Sequence, residues 1–387
     1  MEGLAPDALV PDALTPDALA TRAGPPAYDA SLADHGLEAK EFRGLTYPLG
    51  DHAPGYGEYF AIAPGLGWTR LPVPGPLDHI NIWLLDDCDE QGDGVAIVDT
   101  GLYMPESTDA WKSLFASGLQ GRRITRVFVT HFHPDHVGAA GWLCRRFGIG
   151  LWMNRTEWLM ARMLTSDVRA EPPAEALDQM RMAGWDDARI EQMRQKGWGN
   201  FARMVSEVPV SHTRLDDGAD VAIGARTWTV MTGGGHTPEH ACLVDREGQV
   251  VIAGDQILPR ITSNVSVMTS EPHADPLREW LDSIAKFRAA LSGDELILPA
   301  HGFPFTGVHA RLDALRDGHI DRLNVLEDAL KQRAMRAVDT FSILFAREVD
   351  DTVYGIATGE AMAHLRYLEC AGRATCTVRD GVGWYSA

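Results

Sequence analysis

From about residue 45 the chain alternates short apolar runs with turn residues. The runs cover His79 to Leu85, Val95 to Asp99, Ile124 to Thr130, Gly150 to Met153 and Val221 to Met231, the last broken by a turn at Gly224. Ala241 to Ala253 reads as a hairpin turning at Glu247-Gly248, and Glu295 to Pro299 as a further strand that stops at His301. Runs of this length, bounded by Gly, Pro, Asn and Asp, predict strands buried on one or both faces. Thr108 to Ser117 and His136 to Phe147 carry helical spacing between them. Strands and helices interleave without a strict βαβ repeat, which predicts an α/β body of sheets covered by helices.

Three stretches depart from this rhythm. Residues 1–27 repeat Pro-Asp-Ala-Leu from Pro6, Pro11 and Pro16, with prolines too close for a helix interior, and read as a solvated tail. Residues 154–207 read as a long helical insertion, a cap, rich in Trp158, Trp185, Trp198, Met160, Met163, Met180, Met182, Met193 and Met204. Methionine is flexible and polarizable, so this cluster suits an adaptable apolar pocket as well as the plain core of a helical hairpin. Residues 309–387 give a long charged helix from His309 to Ala337, helical pieces at Thr340 to Phe345 and Gly359 to Gly372, and a hairpin about Asp380-Gly381. That succession outlines a helical, winged-helix-like C-terminal module. The body itself is expected over 45–305.

Composition narrows the function. Lys and Arg number 35 against 54 Asp and Glu, a formal charge of −19. Such a surface repels phosphate backbones and anionic lipid, so nucleic acid and membrane are disfavoured as partners. Acidic residues also outnumber basic ones between Arg311 and Asp380, which deprives the winged-helix-like module of the charge needed to hold DNA. A packing or dimerisation role suits it better, so a homodimer is a possible assembly. The five cysteines are odd in number and contain no CxxC pair, arguing against a disulfide framework and a zinc finger. The N-terminus has no basic region leading into an apolar run, and no stretch is apolar enough to span a bilayer. The expectation is a cytoplasmic protein.

The chemistry is concentrated in Thr130-His131-Phe132-His133-Pro134-Asp135-His136, directly after an apolar strand. Three histidines and an aspartate where a buried strand ends are costly to keep without a ligand, and imidazole and carboxylate bind zinc and similar divalent ions. In extended backbone His131 and His133 point to one side, while Asp135 and His136 turn from the following loop toward a second position, so one cluster can serve two ions. More ligand-type side chains follow strands downstream, each after small residues: His236 after Gly233-Gly234-Gly235, Asp255 after Gly254, and His301 after Pro299-Ala300. No GxSxG, P-loop or dinucleotide fingerprint is present.

This series resembles the HxHxDH motif, later His, bridging Asp and final His of the metallo-β-lactamase fold superfamily, over roughly residues 45–305. The resemblance implies a four-layer αββα fold with a helical insertion. It implies His131, His133 and His236 on one metal, Asp135, His136 and His301 on a second, and Asp255 bridging both. It also implies that Asp99, in an Asp99-Thr100-Gly101 turn like the family's VDTG element, supports the ligands from behind, with Thr130 beside it. No cysteine stands at a ligand position, as in the hydrolase branches. The cofactors expected are two divalent ions per chain, zinc foremost, with iron or manganese also suited to an all N/O ligand set.

Two close ions lower the pKa of a shared water, so hydroxide becomes available near neutrality, and Asp135 is expected to orient it as the catalytic carboxylate. The core, cap and C-terminal module together resemble the thioesterase and β-lactamase-like protein 2 branch. Hydrolysis of an acyl thioester or related ester of a small-molecule substrate is therefore the first expectation. Arg155, Arg162 and Arg169 of the cap offer charge to a carboxylate or phosphate. A phosphodiesterase or endoribonuclease is the alternative, disfavoured by the acidity, and a non-catalytic metal-binding scaffold is a third. Residues expected to meet substrate are His79 with Asp78 and Asn81, Tyr103 with Met104, His240, and Arg260 with Asn264 and Met268.

Overall fold

The structure is a computed structural model that describes residues 36–387, so the expected tail at 1–27 lies outside the described residues. After a small hairpin of β1 (Lys40–Phe42) and β2 (Leu45–Tyr47), seven strands form one sheet in chain order. They are β3 (Phe60–Ala63), β4 (Leu66–Pro72), β5 (His79–Asp89), β6 (Gly92–Val98), β7 (Arg123–Phe128), β8 (Gly150–Met153) and β9 (Thr213–Arg214). Pairing is antiparallel as far as β6 and parallel from β6 to β9. A second, five-stranded sheet follows with β10 (Asp220–Ile223), β11 (Arg226–Gly233), β12 (His240–Asp245), β13 (Val250–Gly254) and β14 (Leu296–Pro299), again in order. Only its last pair is parallel.

The strands read as continuous apolar runs because both faces of each sheet are covered. On β12, Ala241 and Leu243 point between the sheets, while Cys242 and Val244 point outward; β13 repeats this with Val250 and Ile252 inward, Val251 and Ala253 outward. On β5, Trp83 and Leu85 join the inner layer and Ile80, Ile82 and Leu84 the outer one. Helices α1 (Pro105–Ser113), α2 (Pro134–Val137) and α3 (Ala140–Phe147) follow the first sheet's strands, and Trp111, Val137 and Leu143 pack on its outer face. Helix, sheet, sheet, helix is the four-layer order expected.

The insertion is four helices rather than one long segment: α4 (Arg155–Ser166), α5 (Ala174–Ala183), α6 (Asp187–Lys196) and α7 (Phe201–Met204). Pro172-Pro173 and the left-handed Gly184 and Gly197 break the helical path between them. Beyond it, α8 (Pro276–Ala290), α9 (Val308–Gln332), α10 (Phe341–Leu344) and α11 (Tyr354–Cys370) lead to the hairpin β15 (Thr375–Arg379) and β16 (Val382–Ser386). Helix α9 stops at Gln332, short of the Ala337 expected, because Arg333 is extended and Met335 pairs with Tyr385 of β16 through two backbone hydrogen bonds. Trp280, Ile284 and Phe287 of α8 share one core with Leu315, Leu323 and Leu326 of α9 and Leu365 and Leu368 of α11. Among the described residues no helix is long and apolar enough to cross a membrane.

Candidate metal centre

Strand β6 ends at Val98, one residue before the expected stop, because Asp99 is left-handed at φ 63°. Its buried carboxylate accepts hydrogen bonds from Thr130 N (2.8 Å), Thr130 Oγ1 (2.9 Å) and His136 Nδ1 (2.8 Å). Thr130 thus fixes the start of the histidine loop, and His131 Nδ1 lies 3.0 Å from its hydroxyl. Asp135 and His136 sit in the first turn of α2, which Pro134 opens, rather than in a loop.

His131, His133, His236 and Asp255 converge as one group, and Asp135, His136 and His301 as another, each with its candidate ligand atoms within 4.8 Å of one another. In the first, His131 Nε2 is 3.0 Å from His133 Nδ1 and 3.3 Å from His236 Nε2. Two nitrogens bound tetrahedrally to one zinc at about 2.0–2.1 Å stand about 3.3 Å apart, so this spacing fits a shared ion. In the second, Asp135 Oδ2 is 3.3 Å from His301 Nε2 and 3.6 Å from His136 Nε2. Asp255 lies between them. Its Oδ2 is 3.4 Å from His236 Nε2, and its Oδ1 is 3.4 Å from His301 Nε2 and 3.6 Å from His136 Nε2.

Buried polar atoms without partners mark where a ligand belongs. His136 Nε2, His301 Nε2 and Asp255 Oδ1 are such atoms, and all three face the second group. The far nitrogens of these rings are held instead. His136 Nδ1 donates to Asp99, His236 Nδ1 to the Asn264 carbonyl (2.7 Å), and His301 Nδ1 to the His79 carbonyl (2.7 Å). A proton fixed there leaves the other nitrogen's lone pair turned inward, the tautomer a metal ligand requires. The residues present fit two divalent ions.

The electrostatics divide the groups. Burial, then the neighbouring His136, holds His131 well below the usual imidazole range, and burial with the His236 ring beside it lowers His133 to about 3. Both stay neutral, the form in which an imidazole binds a metal. Burial works against charge on His136 too, but Asp99, Asp135 and Asp255 outweigh it and raise this ring well above its ordinary value. Burial opposes the ionised form of Asp255 as well, yet His301 and His136 hold it well below the usual carboxylate range. The pocket is thus built to hold positive charge among carboxylates.

Backbone geometry delivers the downstream ligands. Gly235 precedes His236 at φ 99°, where a Cβ would lie 2.5 Å from Trp280. Gly254 precedes Asp255 at φ 49°, where a Cβ would lie 2.6 Å from the His240 ring. Only glycine fits either place.

Of the positions expected to meet substrate, Tyr103 is exposed, Met268 lines a cavity beside the site, and several others take structural partners. His240 is fully buried and its Nε2 accepts the Asp255 backbone N–H at 3.0 Å, so it positions the Asp255 carboxylate. The His79 ring contacts Arg70 and accepts from Gly302 N. Asn81 donates to the carbonyls of Pro299 and Gly302, which locks the His301 loop. The Arg260 guanidinium lies 5.2 Å from the Tyr47 ring centroid and 5.4 Å from that of Phe42, at the β1–β2 hairpin. In the cap, Arg162 donates to the Val208 carbonyl and Arg169 pairs with Asp167.

Sequence reasoning missed Glu157. From α4 its carboxylate accepts from Phe132 N (2.9 Å) and Glu239 N (2.7 Å), tying the histidine loop to the segment after His236. A fully buried glutamate needs such partners. The signal available was the one acidic residue of α4, which does not say where the carboxylate points.

Comparison with known proteins agrees with this geometry. Residues 75–301 match the family described as Metallo-beta-lactamase superfamily, and residues 323–387 match Metallo-beta-lactamase-like, C-terminal domain. The crystal structure of a beta-lactamase domain protein from Burkholderia ambifaria is similar at 37% identity and a TM-score of 0.78, over 88% of this chain and 98% of that one. The probable metallo-hydrolase YqjP of Bacillus subtilis (strain 168) is 21% identical over 78% of this chain and 91% of its own length. The acyl-coenzyme A thioesterase MBLAC2 of Homo sapiens is 25% identical over 51% of this chain and 65% of its own.

Proposed function

Because the chain belongs to the metallo-β-lactamase superfamily, as a metallo-hydrolase, we propose that it is a dinuclear enzyme that hydrolyses an acyl thioester or a related ester. The observation that carries the dinuclear part is Asp255, which turns one oxygen to each ligand group. The likeness to a protein named as an acyl-coenzyme A thioesterase supports the thioester, and the charge of −19 counts against a phosphodiester backbone. Held by His131, His133 and His236 on one side and Asp135, His136 and His301 on the other, with Asp255 between, two divalent ions would supply Lewis acidity for activating water and stabilising charge on the acyl oxygen.

The chain's own residues do the rest. Hydrolysis forms a carbon–oxygen bond from water to the acyl carbon, breaks the carbon–sulfur bond, and delivers one proton to the departing thiolate. Asp135 is only partly buried, unlike His131, His136 and Asp255, so its carboxylate reaches the opening of the site. Burial disfavours its charge, but the His136 and His301 rings beside it keep it ionised. Ionised, it accepts a hydrogen bond from the attacking water and orients it, and the proton that water gives up passes across this carboxylate to the leaving sulfur. Zinc is the expected ion, and the neutral imidazoles with carboxylates also suit iron or manganese.

The test is a hydrolysis screen over acyl-CoA, acyl-glutathione, lactone and RNA substrates, with metal content measured on the same sample. Two ions per chain and thioester turnover are expected. His133→Ala and Asp255→Ala should fall to background while circular dichroism stays native; full turnover in both would overturn the dinuclear site. Cleavage of single-stranded RNA that depends on His131, with no turnover of thioesters, would replace the proposed substrate.

A further inference from the structure

A cavity of about 560 Å³ lies beside the metal centre, within the roughly 300–1,000 Å³ usual for small-molecule sites. Three parts of the chain wall it: the cap helices α4 to α6 with their connections, residues 266–270, and α11 of the C-terminal module. Six methionines face it: Met160, Met163, Met180, Met193, Met268 and Met362. Trp185 and Trp198 also line it, and their indole N–H groups are committed to Thr358 Oγ1 (3.0 Å) and Asp167 Oδ2 (2.8 Å). The rings are thus left to offer apolar surface. Flexible thioethers around fixed aromatic rings suit a guest that is apolar, slender and variable in shape.

The cavity adjoins the chemistry. Ser266 and Met268 line it on one side and line a small cleft with His236 on the other. Two residues before Ser266, the Asn264 carbonyl holds His236 Nδ1. This strap is stitched to both neighbours, since Val267 N donates to the Gly359 carbonyl of α11 (3.2 Å) and Gln179 Nε2 of α5 donates to the Val267 carbonyl (3.1 Å).

We propose that this cavity receives the unbranched acyl chain of the substrate, and that α11 belongs to the protein's active form because it supplies one wall. The inference rests on the thioester reading above and adds to it a medium- to long-chain acyl group. A ten-carbon chain, at about 30 Å³ per methylene, close to the share of one liquid water, fills roughly half the volume.

The experiment uses full-length, zinc-loaded protein with N-acetylcysteamine thioesters from butyryl to hexadecanoyl, and dodecanoate as a non-reacting probe followed by calorimetry. Across the shorter members kcat/KM should rise about fourfold per added methylene, the gain expected from burying one CH₂. Met180→Trp fills the cavity, and Met163→Glu places a charge at its edge on a side chain nearly half exposed, where folding tolerates it. Each should lower the decanoyl-to-butyryl ratio of kcat/KM at least tenfold and weaken dodecanoate. Thioester turnover with a flat chain-length series, or a ratio unmoved in both variants, overturns the acyl pocket and leaves the hydrolase reading standing. Dodecanoate binding that both variants abolish, with no thioester turned over at any length, keeps the pocket and overturns the thioester reading.

Discussion

At the scale of single residues, Asp99 shows how much of a candidate metal centre lies behind the residues that would bind the ions. It joins Thr130 to His136 from a left-handed backbone position, and its Oδ2 receives the His136 Nδ1 proton. Asp99→Asn keeps the shape but sets an amide N–H against that proton, or leaves it with a weaker carbonyl acceptor. Activity should fall about 10–100-fold, with the fold retained and fewer ions held per chain; steady-state kinetics and metal analysis check both. The ligand-type residues were legible in the sequence because His131, His133, Asp135, His136, His236, Asp255 and His301 each follow a strand, and the structure brings them together. The duties of His240 and Glu157 were not. Both bind backbone N–H groups of segments distant in sequence, and no local pattern encodes such a partner.

At the scale of elements, the docking of the two sheets rests on polar clamps as well as on the apolar layer between them. Asp87 of β5 accepts from Arg126 and Thr125 of β7 and from Gly224 N in the β10–β11 turn, while Arg126 also donates to the Ala222 carbonyl. Burial alone would raise the Asp87 carboxyl, but the hydrogen bonds from Arg126 and Thr125 outweigh it and hold the group below its ordinary 3.8. A depressed carboxyl contributes stability that is present above the unfolded value and lost as pH falls through the folded one. Asp87→Asn should therefore cost about 2–3 kcal/mol near pH 7, and the gap from wild type should shrink as pH falls below 4; urea denaturation at several pH values checks it. Strands were readable from their apolar runs, because burial on both faces leaves few polar interruptions. Helix ends in the cap were less so, since Pro172, Gly184 and Gly197 break one long helical stretch into four helices.

At the scale of the molecule, the C-terminal module closes the core that covers the second sheet. Leu312, Leu315, Leu323 and Leu326 of α9 and Leu365 and Leu368 of α11 lie in one cluster with Val244 and Val251 of that sheet. A chain ending at Gly307 would bare this surface, and should appear in the insoluble fraction or as soluble aggregate on size exclusion; a monodisperse product with a native-like melt would show that the sheet is covered without the module. The module's outline was visible in the sequence, but its union with the cap was not, because the contact between Trp185 and Thr358 spans two segments with no shared pattern. The same long-range assembly governs when the metal centre comes into being. Its candidate ligands run from His131 to His301 and come from both sheets, so an unfolded chain keeps the His131–His136 cluster far from His236, Asp255 and His301. Closing loops of that length costs entropy that the apolar layers repay first. An ion held by residues of both sheets therefore adds its full binding energy only to the docked pair, and acts as a lock on that docking.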